Sequence, residues 1–112
     1  QAEAPDINIG TFSMDRSRWG DVVSIVGRHF ASATIGGRRL DVRENVAFQG
    51  KGEQTRFIHE RFPENGCAIA IEFKKFFMDE WTGEPDRRVI ADIRDTFASL
   101  QPVLEDFLRS RR

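Results

Sequence analysis

The stretch Cys67-Ala68-Ile69-Ala70-Ile71-Glu72-Phe73 is an apolar run that only one carboxylate, Glu72, interrupts. Such a run is typical of a strand covered on both faces of a sheet, because a strand with one wet face alternates apolar and polar residues. We therefore predict that this stretch is the central strand of the protein. Because side chains alternate along a strand, Glu72 shares its face with the small residues Ala68 and Ala70.

The residues that precede this strand predict a strand, a helix and a second strand. Alternating apolar residues predict a short strand over residues 5–11. Asp15 is a suitable N-cap residue, and apolar residues at helical spacing then continue as far as Phe30, which predicts an amphipathic helix. The Gly36-Gly37 pair predicts a turn that leads into a weak strand over residues 38–42.

The remaining segments predict one loop and two helices. Residues 43–52 are polar and contain two glycines, which indicates a loop. We expect a short helix over residues 53–62 and a longer one over residues 85–108, which Pro102 should kink or restart. The alternation of strands and helices predicts an α/β fold with a small mixed or partly parallel sheet flanked by helices. Three short strands are few for an independent sheet, so we expect residues 1–112 to be one unit of a larger domain.

Composition excludes several classes of protein. The 112 residues include 17 basic and 18 acidic side chains, for a net charge of −1, so no basic surplus favours nucleic acid as a partner. No run approaches the roughly 20 apolar residues that cross a membrane, and no secretory signal is evident. The single cysteine, Cys67, cannot form an internal disulfide. We therefore expect a soluble protein in a reducing, cytoplasmic compartment, with no membrane partner.

Glu72 is the first candidate for chemistry. A carboxylate in a buried strand costs several kcal/mol to desolvate unless a cleft, a cation or a metal compensates for the cost. Small neighbours on the same face would leave room for a ligand. The alternative interpretation is structural: Glu72 forms an ion pair with Lys74 or Lys75, or lies on the surface of an edge strand.

Arg56 and His59 form the second candidate, together with the preceding loop that contains Asn45. Three positions separate Arg56 from His59, so the two share a helical face that is not the face carrying Phe57. An arginine can hold a carboxylate with two hydrogen bonds, and a histidine can exchange protons with a polarised carbonyl. The alternative is a solvated face on which Glu60 pairs with Arg56. No metal-binding motif is found, because the two histidines lie on separate predicted helices.

Several segments together resemble the C-terminal part of the N-formylglutamate amidohydrolase (N-formylglutamate deformylase) family. They cover most of the chain from Pro5 to the final helix. The most specific is Ala68-Ile69-Ala70-Ile71-Glu72 leading into Phe77-Met78-Asp79-Glu80. The others are Pro5-Asp6-Ile7-Asn8-Ile9-Gly10-Thr11, the loop from Asn45 to Phe48 with its glycines, and the helix with Arg56 and His59.

The resemblance implies a zinc-dependent hydrolase with a carboxypeptidase-like (phosphorylase/hydrolase-like) α/β fold, which cleaves a linear amide of an N-acyl amino acid. Glu72 matches the general base, which takes a proton from zinc-bound water and passes it to the leaving nitrogen. Arg56 is similar to the residue that anchors the substrate carboxylate. His59 and Asn45 are similar to pocket residues that hydrogen-bond the substrate or the tetrahedral intermediate. The loop Gln49-Gly50-Lys51-Gly52 departs from the paired glycines of the family.

The zinc ligands of that family have no counterpart in this sequence. In the family, a His and an acidic residue come early, and a second His comes just before the segment that matches residues 5–11. We therefore expect zinc to belong to the parent enzyme, with none held by this chain, which should be inactive alone. As partners we expect the substrate and either self-association or pairing with the missing N-terminal portion. The alternative function is a non-catalytic binding or assembly module.

Overall fold

A computed structural model describes residues 4–46, 49–79 and 81–111. The described residues form a small mixed α/β domain with eight elements. In chain order these are β1 (Ile7–Gly10), α1 (Arg16–Ser32), β2 (Thr34–Ile35), β3 (Arg38–Arg39), β4 (Val42–Glu44), α2 (Glu53–Arg61), β5 (Ala70–Phe73) and α3 (Arg87–Ser110).

The main sheet has three strands in the order β4-β1-β5. Strand β1 pairs in parallel with β4, so that Ile7 is opposite Val42, and antiparallel with β5, so that Ile7 is also opposite Phe73. Strands β2 and β3 form a separate antiparallel hairpin. The sheet is therefore mixed, which confirms the coarse prediction of a small, partly parallel sheet with helices.

The prediction that the run at residues 67–73 is the central strand is wrong. Strand β1 is central and β5 lies at an edge. All four residues of β1 are buried, whereas Glu72 in β5 is exposed and the residues beside it are only partly buried. The run looks fully buried because alanines occupy its second face, and an alanine is apolar whether or not anything covers it.

Helix α1 supplies five of the twelve buried apolar residues that form the core of the described part of the chain. It begins where predicted, since the Asp15 carboxylate accepts hydrogen bonds from the backbone N–H groups of Ser17 and Arg18 at 3.1 and 3.3 Å. Its apolar stripe is buried in one core with Ile7 and Ile9 of β1, and Phe30 is fully buried. The other buried residues of the stripe are Trp19, Val22, Val23 and Val26.

The segment after α1 differs from the prediction. Gly36 and Gly37 have φ values of +61° and +82° and form the turn of the β2–β3 hairpin, as two-residue hairpin turns require. The strand that joins the main sheet is β4, which begins at Val42, the last residue of the predicted strand, and continues into the predicted loop. Two of the three β4 residues are charged, so an apolar pattern could not reveal this strand, which parallel pairing with β1 holds in place.

Helix α2 matches its predicted position, but its apolar side is not buried. Phe57 is 60% exposed and Phe62, at its C-terminal end, is 46% exposed. Helix α3 continues across Pro102 as one helix of 24 residues, with Asp86 as its N-cap residue. No helix in the described ranges is long and apolar enough to cross a membrane.

The Asp6–Arg38 ion pair ties β1 to the hairpin. Arg38 donates to both carboxylate oxygens at 3.0 and 3.1 Å, and the backbone N–H of Asp41 donates to Oδ2 at 2.8 Å. The Arg38 guanidinium, followed by that backbone bond, holds the pKa of Asp6 below its usual 3.8. A carboxylate whose pKa is lowered by folding stabilises the folded state at pH values above its unfolded-state pKa. This stabilisation is lost as the pH falls through the folded-state pKa.

Replacing Asp6 by asparagine is therefore expected to lower the free energy of unfolding by about 1–2 kcal/mol at pH 7, because a charge-assisted bond becomes a neutral one. Urea unfolding of both proteins at pH 7 and pH 2.5 measures the effect, which should shrink at the lower pH. The exposed Asp21→Asn variant is the control. An equal Asp6→Asn effect at both pH values would contradict the assignment.

Candidate functional site

Three side chains lie in a row across the second face of the main sheet. Asn8 of β1 is opposite Arg43 of β4 and Glu72 of β5 in the strand register. Residues opposite one another in a sheet share a face, so this row lies on the face that Ile7 and Ile9 do not occupy. Asn8 is only 2% exposed, and its Oδ1 accepts a hydrogen bond from the backbone N–H of Val46 at 3.0 Å.

Glu72 is the exposed member of this row. No residue in the described ranges forms an ion pair or a hydrogen bond with its carboxylate, so the expected pair with Lys74 or Lys75 is not seen there. Because the side chain is exposed, the argument that a buried carboxylate needs compensation does not apply to it. The alternative of a surface position on an edge strand describes its location correctly.

Asn45 lies directly after β4, at the carboxyl end of the parallel β1–β4 pair. Its Oδ1 accepts from the backbone N–H of Thr11 at 3.0 Å, and its Nδ2 donates to Thr11 Oγ1 at 3.1 Å. Its own N–H donates to the carbonyl of Ile9 at 2.9 Å, and its φ is +56°, which asparagine tolerates better than most residues. Asn45 therefore joins the ends of two strands.

Thr11, Glu44 and Arg16 complete a polar cluster at this end of the sheet, and sequence reasoning missed all three. Thr11 Oγ1 and Arg16 both donate to the Glu44 carboxylate. The signal that could have found Thr11 and Glu44 is their position, since one follows β1 and the other ends β4, and ligands of open α/β sheets collect at such carboxyl ends. Arg16 carried no comparable signal.

The loop after β4 lies against the end of β1. A Cβ atom added to Gly10 would lie 2.7 Å from Gly50 Cα, closer than real Cβ contacts come. Gly50 itself has a φ of +71°. These two glycines allow the close approach that brings the loop and α2 beside the polar cluster. Ala47 and Phe48 of the loop, and Glu80 of the resembling segment, lie outside the described residues.

His59 joins α2 to two other segments. Its Nε2 lies 3.0 Å from the backbone N of Ala68, and its Nδ1 lies 2.7 Å from Ser13 Oγ. A backbone N–H can only donate, so Nε2 must be the acceptor, and the proton of a neutral imidazole then resides on Nδ1 and is donated to Ser13. His59 therefore does not activate the Ser13 hydroxyl as a base would.

We expect the His59→Phe variant to lose about 1–3 kcal/mol of unfolding free energy, because the Ala68 N–H is left without its acceptor. Hydrogen exchange at the Ala68 amide should accelerate relative to the amides of α1. The neighbouring exposed substitution Glu60→Gln is the control. Unchanged exchange at Ala68 would mean that the imidazole bond is not formed in solution.

Arg56 is exposed on α2 and lines a concavity of about 370 Å³. The other lining residues are Glu53, Gln54, Phe57 and Glu60. Arg56 and Glu60 are both exposed, as the alternative of a solvated helix face requires, but they form no ion pair with each other. His59 and Glu72 do not line this concavity. The structure therefore keeps Arg56 available to an anion but does not gather the three predicted residues there.

The described residues offer neither a reactive thiol nor a cluster of metal ligands. Burial raises the pKa of the half-buried Cys67 thiol, so this residue stays protonated and behaves as a small apolar side chain. Across residues 4–46, 49–79 and 81–111, no group of three or more His, Cys, Asp or Glu side chains could hold a metal ion.

No protein-family model, curated protein or solved structure matches this chain. Its function must therefore be inferred from the side chains described above and from the resemblance of its sequence segments.

Proposed function

We propose that this chain is the C-terminal portion of a zinc-dependent amidohydrolase with a carboxypeptidase-like fold. The substrate is an N-acyl amino acid similar to N-formylglutamate, and the reaction is hydrolysis of its linear amide bond. The sequence segments that resemble this family support the proposal. The mixed sheet, in which β1 pairs in parallel with β4 and antiparallel with β5, is compatible with it.

Glu72 is the proposed general base, and its freedom is the observation that carries the proposal. The carboxylate is exposed on the second face of the sheet and has no hydrogen-bond or ion-pair partner among the described residues. A base must be able to reach both the water that it deprotonates and the nitrogen that it protonates. An exposed and unpaired carboxylate is free to take up the first proton and to pass it on.

Arg56 is the proposed anchor for the substrate carboxylate. Its guanidinium lines a concavity and has no carboxylate partner in the described part of the chain. A substrate anion can therefore take both of its donor edges. Asn45 and His59 use their side-chain atoms within the protein, so we assign them to building the pocket wall.

The described residues do not by themselves fit a zinc site, because no three potential ligands lie together among them. In the family that these sequence segments resemble, the zinc ligands come before the segment that matches residues 5–11, and we propose the same position for them in the parent enzyme. When bound, zinc would polarise the scissile carbonyl and acidify a water molecule. This chain would contribute the base and the anchor.

The test compares two substrates in the natural polypeptide that contains this chain, loaded with zinc. One is N-formyl-L-glutamate and the other is its α-carboxamide, which lacks one anionic group. Arg56→Ala should raise KM for the first by at least about tenfold and leave the second nearly unchanged, because the charge-assisted contact is worth about 1.5–3 kcal/mol.

Arg61→Ala, a substitution of another exposed arginine on α2, is the matched control and should leave KM for both substrates unchanged. The proposal fails if N-acyl amino acids are not hydrolysed at all. Equal effects of Arg56→Ala on the two substrates would show that Arg56 does not hold the α-carboxylate but would leave the reaction in place.

The second candidate function is a non-catalytic assembly module. It is favoured by apolar residues that the described structure leaves exposed on α3, where Phe97, Val103 and Leu108 are each about two-fifths exposed. A module would bind its partner without metal and without turnover. Activity with zinc therefore separates the two functions.

A further inference from the structure

We infer that the outer edge of β5 pairs antiparallel with the same edge of a second copy of this chain. The N–H of Lys74 donates to the carbonyl of Asp6 at 2.8 Å, which marks these two as a hydrogen-bonded pair. Such pairs alternate along an antiparallel ladder, so Ala70 and Glu72 also direct their backbone groups toward β1.

The intervening residues direct their backbone groups outward. Ile71 and Phe73 present N–H and C=O groups to the open side of β5. If the strand is extended by one residue on pairing, the same spacing adds Ile69 to this set. No described strand pairs with that side. An open edge with apolar side chains is a template for another strand.

An apolar trough borders this edge on the helix side of the sheet. It has a volume of about 360 Å³, and its walls come from three elements. Helix α1 contributes Trp19 and Val22, the segment that ends in β5 contributes Ile69 and Ile71, and α3 contributes Leu104 and Leu108. A strand added at the edge would bring its own apolar side chains over this trough, which favours strand addition here.

The other edge of the sheet is less suitable. Strand β4 is only three residues long, and two of these, Arg43 and Glu44, are charged and engaged in ion pairs. Short edges that carry charges discourage pairing. A second copy is therefore expected to add at β5 and not at β4.

Charge complementarity identifies the partner as a second copy in antiparallel orientation. Glu64 lies before the apolar stretch, and Lys74 and Lys75 lie after it. A two-fold axis brings the lysines of one copy near Glu64 of the other at both ends, whereas a parallel arrangement places like charges together. Opposite charges across a strand pair stabilise the pair and like charges destabilise it.

The outward backbone groups can pair about a two-fold axis at any residue of the strand, and we place the axis at Ala70, where Lys75 lies opposite Asn65, next to Glu64 of the second copy. Ile69 then lies opposite Ile71 of the second copy, both with outward backbone groups. Glu72 lies opposite Ala68 of the second copy and does not face another Glu72. An axis at Glu72 would pair the outward N–H and C=O groups equally well, but it would place the two Glu72 carboxylates opposite each other.

Disulfide trapping tests both the surface and the register. In a Cys67→Ser background, Ala70→Cys places two thiols opposite each other at a non-hydrogen-bonded pair, where Cα atoms lie about 4.5 Å apart and a disulfide can form. Ala68→Cys is the matched control, because its two thiols would be four residues out of register, about 13 Å apart. We expect oxidation to give dimer with Ala70→Cys only.

Sedimentation of the 112-residue chain supplies a second measurement. We expect a dimer whose dissociation constant rises at least about tenfold in Ala70→Asp, which puts like charges on the axis. Ala31→Asp, a substitution on the exposed C-terminal end of α1, should leave the dissociation constant of the dimer unchanged. A monomer at about 100 μM, or trapping with Ala68→Cys and not with Ala70→Cys, would overturn the inference. Neither experiment needs metal or substrate, so the amidohydrolase proposal can fail separately.

Discussion

Replacing Glu72 by glutamine is expected to lower kcat for N-formyl-L-glutamate by about 10²–10⁴-fold, the usual contribution of a general base. An amide keeps the size and polarity of the side chain but cannot accept the proton of the attacking water. KM should change little, because the exposed carboxylate is not the group that holds the substrate anion. The measurement is steady-state kinetics of the natural zinc-loaded polypeptide with and without the substitution.

Two variants control for less specific effects. Glu84→Gln removes an exposed carboxylate that lies outside β5 and should leave kcat unchanged. Glu72→Asp keeps a carboxylate but shortens the side chain by one methylene. This variant should therefore retain more activity than Glu72→Gln. If Glu72→Gln hydrolyses the substrate at the rate of the unsubstituted protein, another group is the base.

Replacing Phe30 by alanine is expected to cost about 3–5 kcal/mol of unfolding free energy, as large-to-small changes of a buried phenylalanine do. Phe30 is fully buried where α1 meets both β5 and α3. Its ring makes edge-to-face contacts with Phe97 and Phe73, with centroids 4.9 and 6.0 Å apart. Removing it leaves a cavity among three elements, which cannot all move inward to fill it.

Urea-induced unfolding measures this cost. Phe12→Ala is the matched control, because Phe12 is 58% exposed and its removal should cost less than about 1 kcal/mol. Equal effects of the two substitutions would contradict the assignment of Phe30 to the centre of the core.

The helices could be predicted from the sequence because local rules define them. Asp15 caps α1, and the apolar residues from Trp19 to Phe30 repeat at helical spacing on the side that faces the sheet. The burial of α2 could not be predicted, since Phe57 and Phe62 are apolar but exposed. An apolar pattern indicates which side of a helix can be buried and does not indicate whether a neighbour covers it.

The order of strands could not be predicted for a related reason. Strand position depends on pairings between residues far apart in the chain, such as Ile9 with Glu44 and with Ile71. The apolar run at residues 67–73 lacks alternation because alanines occupy its second face. The alanines made an edge strand resemble a central one. The two charged residues of β4 made that strand resemble a loop.

The candidate site was predictable in part. Glu72 stands out because it interrupts an apolar run, and Arg56 because it shares a helical face with His59. The hydrogen bonds that engage His59 and Asn45 involve Ser13, Ala68 and Thr11, residues that no motif connects to them. Contacts of this kind arise only after the segments have folded together.

The most direct test of the central claim is the rate of formate release from N-formyl-L-glutamate by the natural polypeptide that contains this chain. We predict release in the presence of zinc at a rate far above that of the protein-free reaction, and loss of that activity after chelation. Release at the protein-free rate from the folded, zinc-supplied protein would contradict the account.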